Sequence, residues 1–205
     1  MQQYLSRLSE EERIIVYSPY VDEGRHLAAL LNCFFFGGPA DNAEIRKGRD
    51  ASYRSWYDGT GPNVIVGTTA LGAGISHPHV RAVIHVMHAT DVLTYVQQIG
   101  RAGRDGKPAD CILLPLQTSR RRSSTNESQD LIGQSQMQDI VFAPEPYFPK
   151  RCIRYAVSYF IDGEDLAVYC LSHPGKVERC SRCREASERL VSSECLSSVP
   201  CFVPV

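Results

Sequence analysis

No run in this sequence reaches the roughly 18 consecutive apolar residues that a membrane span needs, and the N-terminus, MQQYLSRLSEEER, lacks the apolar stretch of a secretory leader. Neither sign of charge is in excess, since 22 Lys and Arg stand against 23 Asp and Glu. That balance excludes a bulk field drawing the chain to nucleic acid or to an anionic membrane, so any nucleic-acid contact has to come from a local patch. Internal repeats are absent as well. These absences point to an intracellular chain whose 205 residues suffice for one good-sized core and a small appendage.

Cysteine, by contrast, is plentiful, with eight in all. In an intracellular chain this favours metal ligation or buried thiols over disulfides. Cys33 and Cys111 lie inside apolar runs (LLNCFFF, DCILLPL) and read as small core residues. The other six all follow residue 150, which marks off a separate C-terminal unit.

Along the first half, apolar runs alternate with stretches of helical periodicity. RIIVY (13–17) precedes VDEGRHLAALLN, CFFF (33–36) precedes a polar helical stretch over about 41–57, and NVIVG (63–67), AVIHV (82–86), DVLTYVQQIG (91–100) and CILLPL (111–116) follow. The alternation predicts an α/β fold, a parallel sheet with helices on its faces and ligands gathered at the carboxyl ends of the strands. After Leu116 the chain becomes rich in Ser, Gln and Arg (QTSRRRSSTNESQDLIGQSQMQD), a composition that reads as a mobile linker whose RRR is a solvated charge run. Prolines at 144, 146 and 149 close it before CIRYAVSYFIDG, where helical spacing returns and ends at a glycine. The expected organisation is a lobe over 1–118, a linker over 119–149, a cysteine-bearing helical module over 150–185 and a tail over 186–205.

In NVIVGTTALGAGISHPHVRAVIHV (63–86) a buried strand runs into Thr68 and Thr69 and then a loop with glycines at 72 and 74, where backbone can approach a phosphate or ribose closely. A second strand, a helix bearing Gln97 and Gln98, and then GRAGRDG follow in order. Together with RIIVYSPY and FFFGGP, these pieces resemble motifs IV, V and VI of the second RecA-like lobe of superfamily 2 helicases, and within them the RecQ family. The resemblance spans about residues 10–116 and is most specific in YVQQIGRAGRDGKPA. A DEAD-box RNA helicase would usually carry a His-Arg pair where Gln97 and Gln98 stand, which favours the RecQ branch.

What the resemblance implies can be stated residue by residue. Arg104 is the candidate arginine finger, and Arg101 binds phosphate or braces the motif. A guanidinium supplied from a second lobe stabilises the charge of phosphoryl transfer by roughly 10³ to 10⁵ in rate, and residues three apart share a face of a helical turn. Gln97 would bridge the nucleotide to motif V, and Gly72 and Gly74 match the family glycines. Ser76 stands where RecQ proteins commonly carry Asp or Asn, and would reach a ribose hydroxyl with a shorter, uncharged side chain. Ser18 and Thr68 match positions that touch the phosphates of the tracked DNA strand, although either hydroxyl can instead cap a helix. The phosphate-cradling G-x-x-x-x-G-K-[ST] loop and the acidic Mg²⁺ motif of a complete motor are missing; DEGRH (22–26) has its histidine one residue too late for a DExH box. The chain therefore reads as half of a motor, inactive alone, that shares ATP and Mg²⁺ with an N-terminal RecA-like lobe.

Cys152, Cys170, Cys180 and Cys183 offer four thiolates, a donor set suited to tetrahedral Zn²⁺, with CxxC placing two sulfurs on one ion. Their spacings of 17, 9 and 2 intervening residues are unlike a generic zinc finger. They resemble the zinc subdomain that follows the motor in RecQ helicases, in its fungal RecQ-like form. His173 is a competing ligand, and Cys195 and Cys201 read as tail residues. The resemblance implies a nuclear, ATP-dependent 3′-to-5′ DNA helicase of repair and recombination, with DNA as partner and no membrane. A non-catalytic lobe that binds DNA or a partner, and an RNA helicase lobe, are the alternatives.

Overall fold

In a computed structural model of the chain, the structure describes residues 8–38, 42–72, 75–87, 89–114, 137, 152–170, 172 and 178–185. The chain divides into two compact units, 1–137 and 138–205. The division falls inside the expected linker, nearly all of which lies outside the described residues. Met137, the described residue in that stretch, is fully buried.

Among its described residues the first unit holds five parallel strands, β1 (Arg13–Tyr17), β2 (Phe34–Phe36), β3 (Val64–Gly67), β4 (Val80–Val86) and β5 (Asp110–Leu114), in the order β2-β3-β1-β4-β5. Helices α1 (Val21–Leu30), α2 (Ala43–Asp58) and α3 (Val92–Ile99) provide the crossovers. The three central strands are apolar on both faces because both are covered. One face packs Ile14, Val16, Val66, Ala82 and Ile84 with Ala28 of α1. The other packs Ile15, Tyr17, Ile65 and Val83 with Trp56 of α2, Leu71, Ile75 and, from the end of α3, Ile99. Trp56 is fully buried and its Nε1 donates to Asn63 O at 3.1 Å; truncating such a side chain costs about 3–5 kcal/mol. The expected α/β sheet with helices on both faces is therefore the fold that forms.

Local chemistry sets the helix ends. Asn42 accepts from Glu44 N at 2.7 Å to start α2, and Gly59, at φ 77°, ends it in the left-handed conformation that suits glycine. Asp91 caps α3, accepting from Thr94 N at 2.8 Å and from Thr94 Oγ1 at 2.6 Å. DEGRH lies within α1. One expectation fails: Cys111 is exposed on β5, not a core residue, because β5 is the edge strand and its described residues are half-buried or exposed. Cys33 is half-buried.

The second unit contains α4 (Ile153–Asp162), which ends at Gly163, and a 3₁₀ turn over Glu164–Leu166. Among its described residues the buried hydrophobic cluster is made of cysteines. No described helix is long and apolar enough to cross a membrane.

Candidate functional site

The turn after α3 carries the two arginines. The helix stops at Ile99, and Gly103 adopts φ 64°, where an added Cβ would also lie 2.9 Å from Lys107 O. The turn is pinned to the sheet by Gly103 N, which donates to Val80 O at 3.0 Å. Because helical geometry has ended, Arg101 and Arg104 do not share a face as their spacing suggested. Arg101 turns inward, is 8% exposed, and donates through Nη1 to the carbonyl of Ile75. Arg104 stays exposed: its Nε donates to Gly100 O at 3.2 Å and its Nη1 to Ser76 Oγ at 2.7 Å. The loop after β3 is thus bound twice to the arginine turn, through adjacent residues 75 and 76.

Arg81 on β4 holds the far side of the same turn. Its guanidinium pairs with Asp105 and with Glu12 (Nε to Oε1, 3.2 Å), and donates to the carbonyls of Lys107 at 3.3 Å and Pro108 at 3.2 Å. Sequence reasoning passed over Arg81 and Asp105. Asp105 follows Arg104 directly, and an acid beside a compulsory turn glycine was the available signal.

The two adjacent glutamines stand in different surroundings. Gln97 is exposed, whereas Gln98 is buried and its Oε1 lies 2.8 Å from Nε2 of His85 on β4. Gln98 continues the buried stripe of Val92 and Tyr95 at intervals of three, a signal present in the sequence. His85 stacks on Tyr17 (centroids 5.2 Å apart) and packs on Tyr95 (4.9 Å). Burial holds the imidazole down at about 4, partly offset by the bond to Gln98. Burial likewise raises Tyr17 to about 12, with the charge of Arg101 opposing.

Ser18, Thr69, His85 and Gln98 line a small cleft beyond the carboxyl ends of β1, β3 and β4, where open parallel sheets take ligands. Ser18 is buried and its hydroxyl donates to Tyr20 O at 3.0 Å. Thr68 is buried too, its Oγ1 accepting from Ala70 N at 3.4 Å to open the 3₁₀ turn Thr69–Gly72. Both hydroxyls therefore have local partners. Gly72 ends that turn, and Gly74 lies outside the described residues.

In the second unit Cys152, Cys170, Cys180 and Cys183 come together, their sulfurs all within 4.8 Å of one another. Four thiolates at about 2.3 Å from one ion stand about 3.8 Å apart, so the cluster fits a tetrahedral S₄ site with small adjustment. Cys170 N donates to Cys152 Sγ at 3.4 Å and Cys180 N to Cys170 Sγ at 3.2 Å. The hydrogen bond from Cys152 holds the Cys180 thiol well below its ordinary value, while giving that bond, together with burial, pushes Cys152 up. His173, Cys195 and Cys201 lie outside the described residues.

A family model described as the helicase conserved C-terminal domain matches residues 1–106. The chain is 45% identical over 78 residues to ATP-dependent DNA helicase Q-like 2 of Arabidopsis thaliana, covering 38% of this chain and 11% of that protein. It is 52% identical over 122 residues to ATP-dependent DNA helicase Q4 of Homo sapiens, covering 52% of this chain and 10% of that protein. Together with a match covering 15% of a Caenorhabditis briggsae protein, putative ATP-dependent DNA helicase Q1, these show that the chain spans only a small part of such relatives. Among solved structures, the E. coli DEAD-box protein SrmB bound to regulator of ribonuclease activity A aligns at a TM-score of 0.46 and 26% identity, over 55% of this chain and 66% of that one. With residues 1–106 of 205 matched by the family model, and curated similarities among the Q helicases, the chain belongs to the helicase conserved C-terminal domain family in a RecQ-like form.

Proposed function

We propose that this chain is the arginine-bearing half of an ATP-dependent, nuclear DNA helicase motor that moves 3′ to 5′, followed by a zinc-stabilised module. The observation that carries this reading is the exposed guanidinium of Arg104, held by Ser76 on a turn braced from beneath by Arg101 and Arg81. A rigid turn presenting one solvent-facing guanidinium suits transition-state charge stabilisation, because the donor needs little reorganisation when charge develops. Arg104 is the residue that reaches the triphosphate and Arg101 is its brace. By the family resemblance, Ser76, Gln97, Gly72 and Gly74 are the residues that contribute the nucleotide contacts.

The 205 residues contain no G-x-x-x-x-G-K-[ST] loop, so the phosphate cradle and its Mg²⁺ belong to an N-terminal RecA-like lobe. DNA contacts arise at the strand-end cleft, where Ser18 and Thr68 order the backbone around which a phosphate docks. Cys152, Cys170, Cys180 and Cys183 would hold Zn²⁺, which would supply folding energy to the module.

The test is DNA-stimulated ATP hydrolysis by the chain alone and after addition of a lobe carrying the phosphate loop. The chain alone is inactive; the pair hydrolyses ATP, and Arg104→Ala lowers its turnover by about 10³-fold or more. Turnover by the chain alone overturns the half-motor reading, and stimulation by RNA but not DNA overturns the substrate.

A further inference from the structure

Arg154 stands in the first turn of α4, two residues after Cys152, and its side chain runs back across the cysteine cluster. Its Nη1 lies 3.2 Å from Sγ of Cys170 and 3.2 Å from the carbonyl oxygen of Glu178, at the approach to the CxxC turn. Cys170 is 1% exposed, and its sulfur also accepts from the amide of Cys180 at 3.2 Å. Among the described residues no carboxylate forms a salt bridge with Arg154, although Asp162, Glu164, Asp165, Glu178 and Glu185 belong to the same unit. The guanidinium charge is therefore directed at sulfur.

Charge explains why that matters. Four thiolates around one dication leave a net charge of two minus, in a centre where three of the four sulfurs belong to buried residues. Uncompensated charge in such a place is costly, and a charge-assisted hydrogen bond is about twice as strong as a neutral one. Amide donors supply direction without net charge, whereas Arg154 supplies both.

We infer that Arg154 is a positioning residue of the thiolate centre: it offsets the negative charge of the metal-bound sulfurs, lowers the nucleophilicity of Cys170, and ties α4 to the approach of the CxxC turn. The inference rests on the zinc reading above. By drawing electron density from Cys170 it slows attack on that sulfur by electrophiles, so the centre keeps its metal longer.

The experiment compares the full chain with Arg154→Gln, which keeps a donor without charge, and Arg154→Lys, which keeps the charge on a simpler donor. Zn²⁺ affinity is measured by competition with a chromophoric chelator, zinc release by reaction with a thiol-directed disulfide reagent, and integrity of the S₄ set by the visible spectrum of the Co²⁺-loaded protein. Arg154→Gln weakens Zn²⁺ binding by about 10- to 100-fold, the range for partners that support metal ligands, and speeds release, while its Co²⁺ spectrum keeps the four-thiolate form. Arg154→Lys stays within a few-fold of the parent. Equal affinity and release in Arg154→Gln and the parent overturn the inference. So does a loss in Arg154→Lys as large as that in Arg154→Gln, and this comparison still decides if the Gln variant folds poorly. A parent chain that binds no zinc overturns the metal reading itself, a result distinct from both.

Discussion

The hydroxyl of Ser76 accepts a hydrogen bond from Nη1 of Arg104 at 2.7 Å, while its neighbour Ile75 gives its carbonyl to Arg101. Two consecutive residues of one loop thus hold two arginines in opposite situations, one exposed and one buried.

That contrast separates function from stability. Arg104→Ala removes an exposed side chain and changes unfolding free energy by no more than about 0.5 kcal/mol. Arg101→Ala leaves the buried Ile75 carbonyl without its donor and empties the space beneath the turn, at a cost of about 2 kcal/mol. Urea unfolding followed by the fluorescence of Trp56, the single tryptophan, measures both. Equal costs for the two variants would refute the division into brace and finger.

Arg81 makes a second prediction. Its guanidinium joins Glu12 to Asp105 and to the carbonyls of Lys107 and Pro108, so Arg81→Met withdraws every one of these donors from the turn. The expected loss is about 2 kcal/mol, set by polar groups left without partners in a largely buried place. Amide hydrogen exchange over 103–108 accelerates more than exchange over β1 and β3. Uniform acceleration would mean that Arg81 supports the whole sheet and not the turn.

Much of this lobe was legible in the sequence because burial on both sheet faces writes itself as continuous apolar runs such as RIIVY and NVIVG. The tetrad was legible as well, because the four thiol donors with one CxxC pair, and the resemblance of their spacings to the zinc subdomain of RecQ helicases, pointed to the same residues that the structure brings together. The opposed directions of Arg101 and Arg104 were not, because a spacing of three implies a shared face only while the helix lasts, and Gly103 ends any such geometry. Gln97 and Gln98 are adjacent and chemically identical; only the register of α3 against β4 decides which one meets His85. Cys111 misled because an apolar run at the edge of a sheet resembles one at its centre. The contact of Arg154 with Cys170 was not legible, because the two residues stand sixteen positions apart along the chain.

His85 gives the lobe a pH dependence. Its folded-state value of about 4 lies below the unfolded value of about 6.5, so the unfolded chain binds the proton first as pH falls. The contribution is fully present above about pH 6.5 and is lost as pH falls through about 4, amounting at most to about 3 kcal/mol. Tyr17 and Tyr95, whose rings face the imidazole, are both raised to about 12 and stay neutral throughout this window. Urea midpoints of the parent therefore fall between pH 7 and 4.5, and the double variant His85→Phe/Gln98→Leu, which removes the imidazole and its partner together, shows a shallower fall. Parallel pH profiles would assign the acid sensitivity elsewhere.

Metal removal should separate the two units. Among the described residues of the second unit the buried cluster is built from Cys152, Cys170 and Cys183, with Tyr155, Tyr169 and Cys180 packed against them, so the ion is expected to supply much of what holds α4 and its following turn. The lobe has two extensive clusters of its own around the sheet, one of them enclosing Trp56. Chelation, or Cys180→Ser, is expected to abolish metal content and to remove helical circular dichroism equivalent to about the ten residues of α4, while the Trp56 emission maximum and its urea midpoint stay unchanged. Cys111→Ser, an exposed thiol on β5 far in sequence from the tetrad, serves as the control and leaves both signals and the metal content intact. If Cys180→Ser retained full metal content, three thiolates and another donor would have to form the site; if the Trp56 signal collapsed together with the helix, the lobe would depend on the metal centre for its folding.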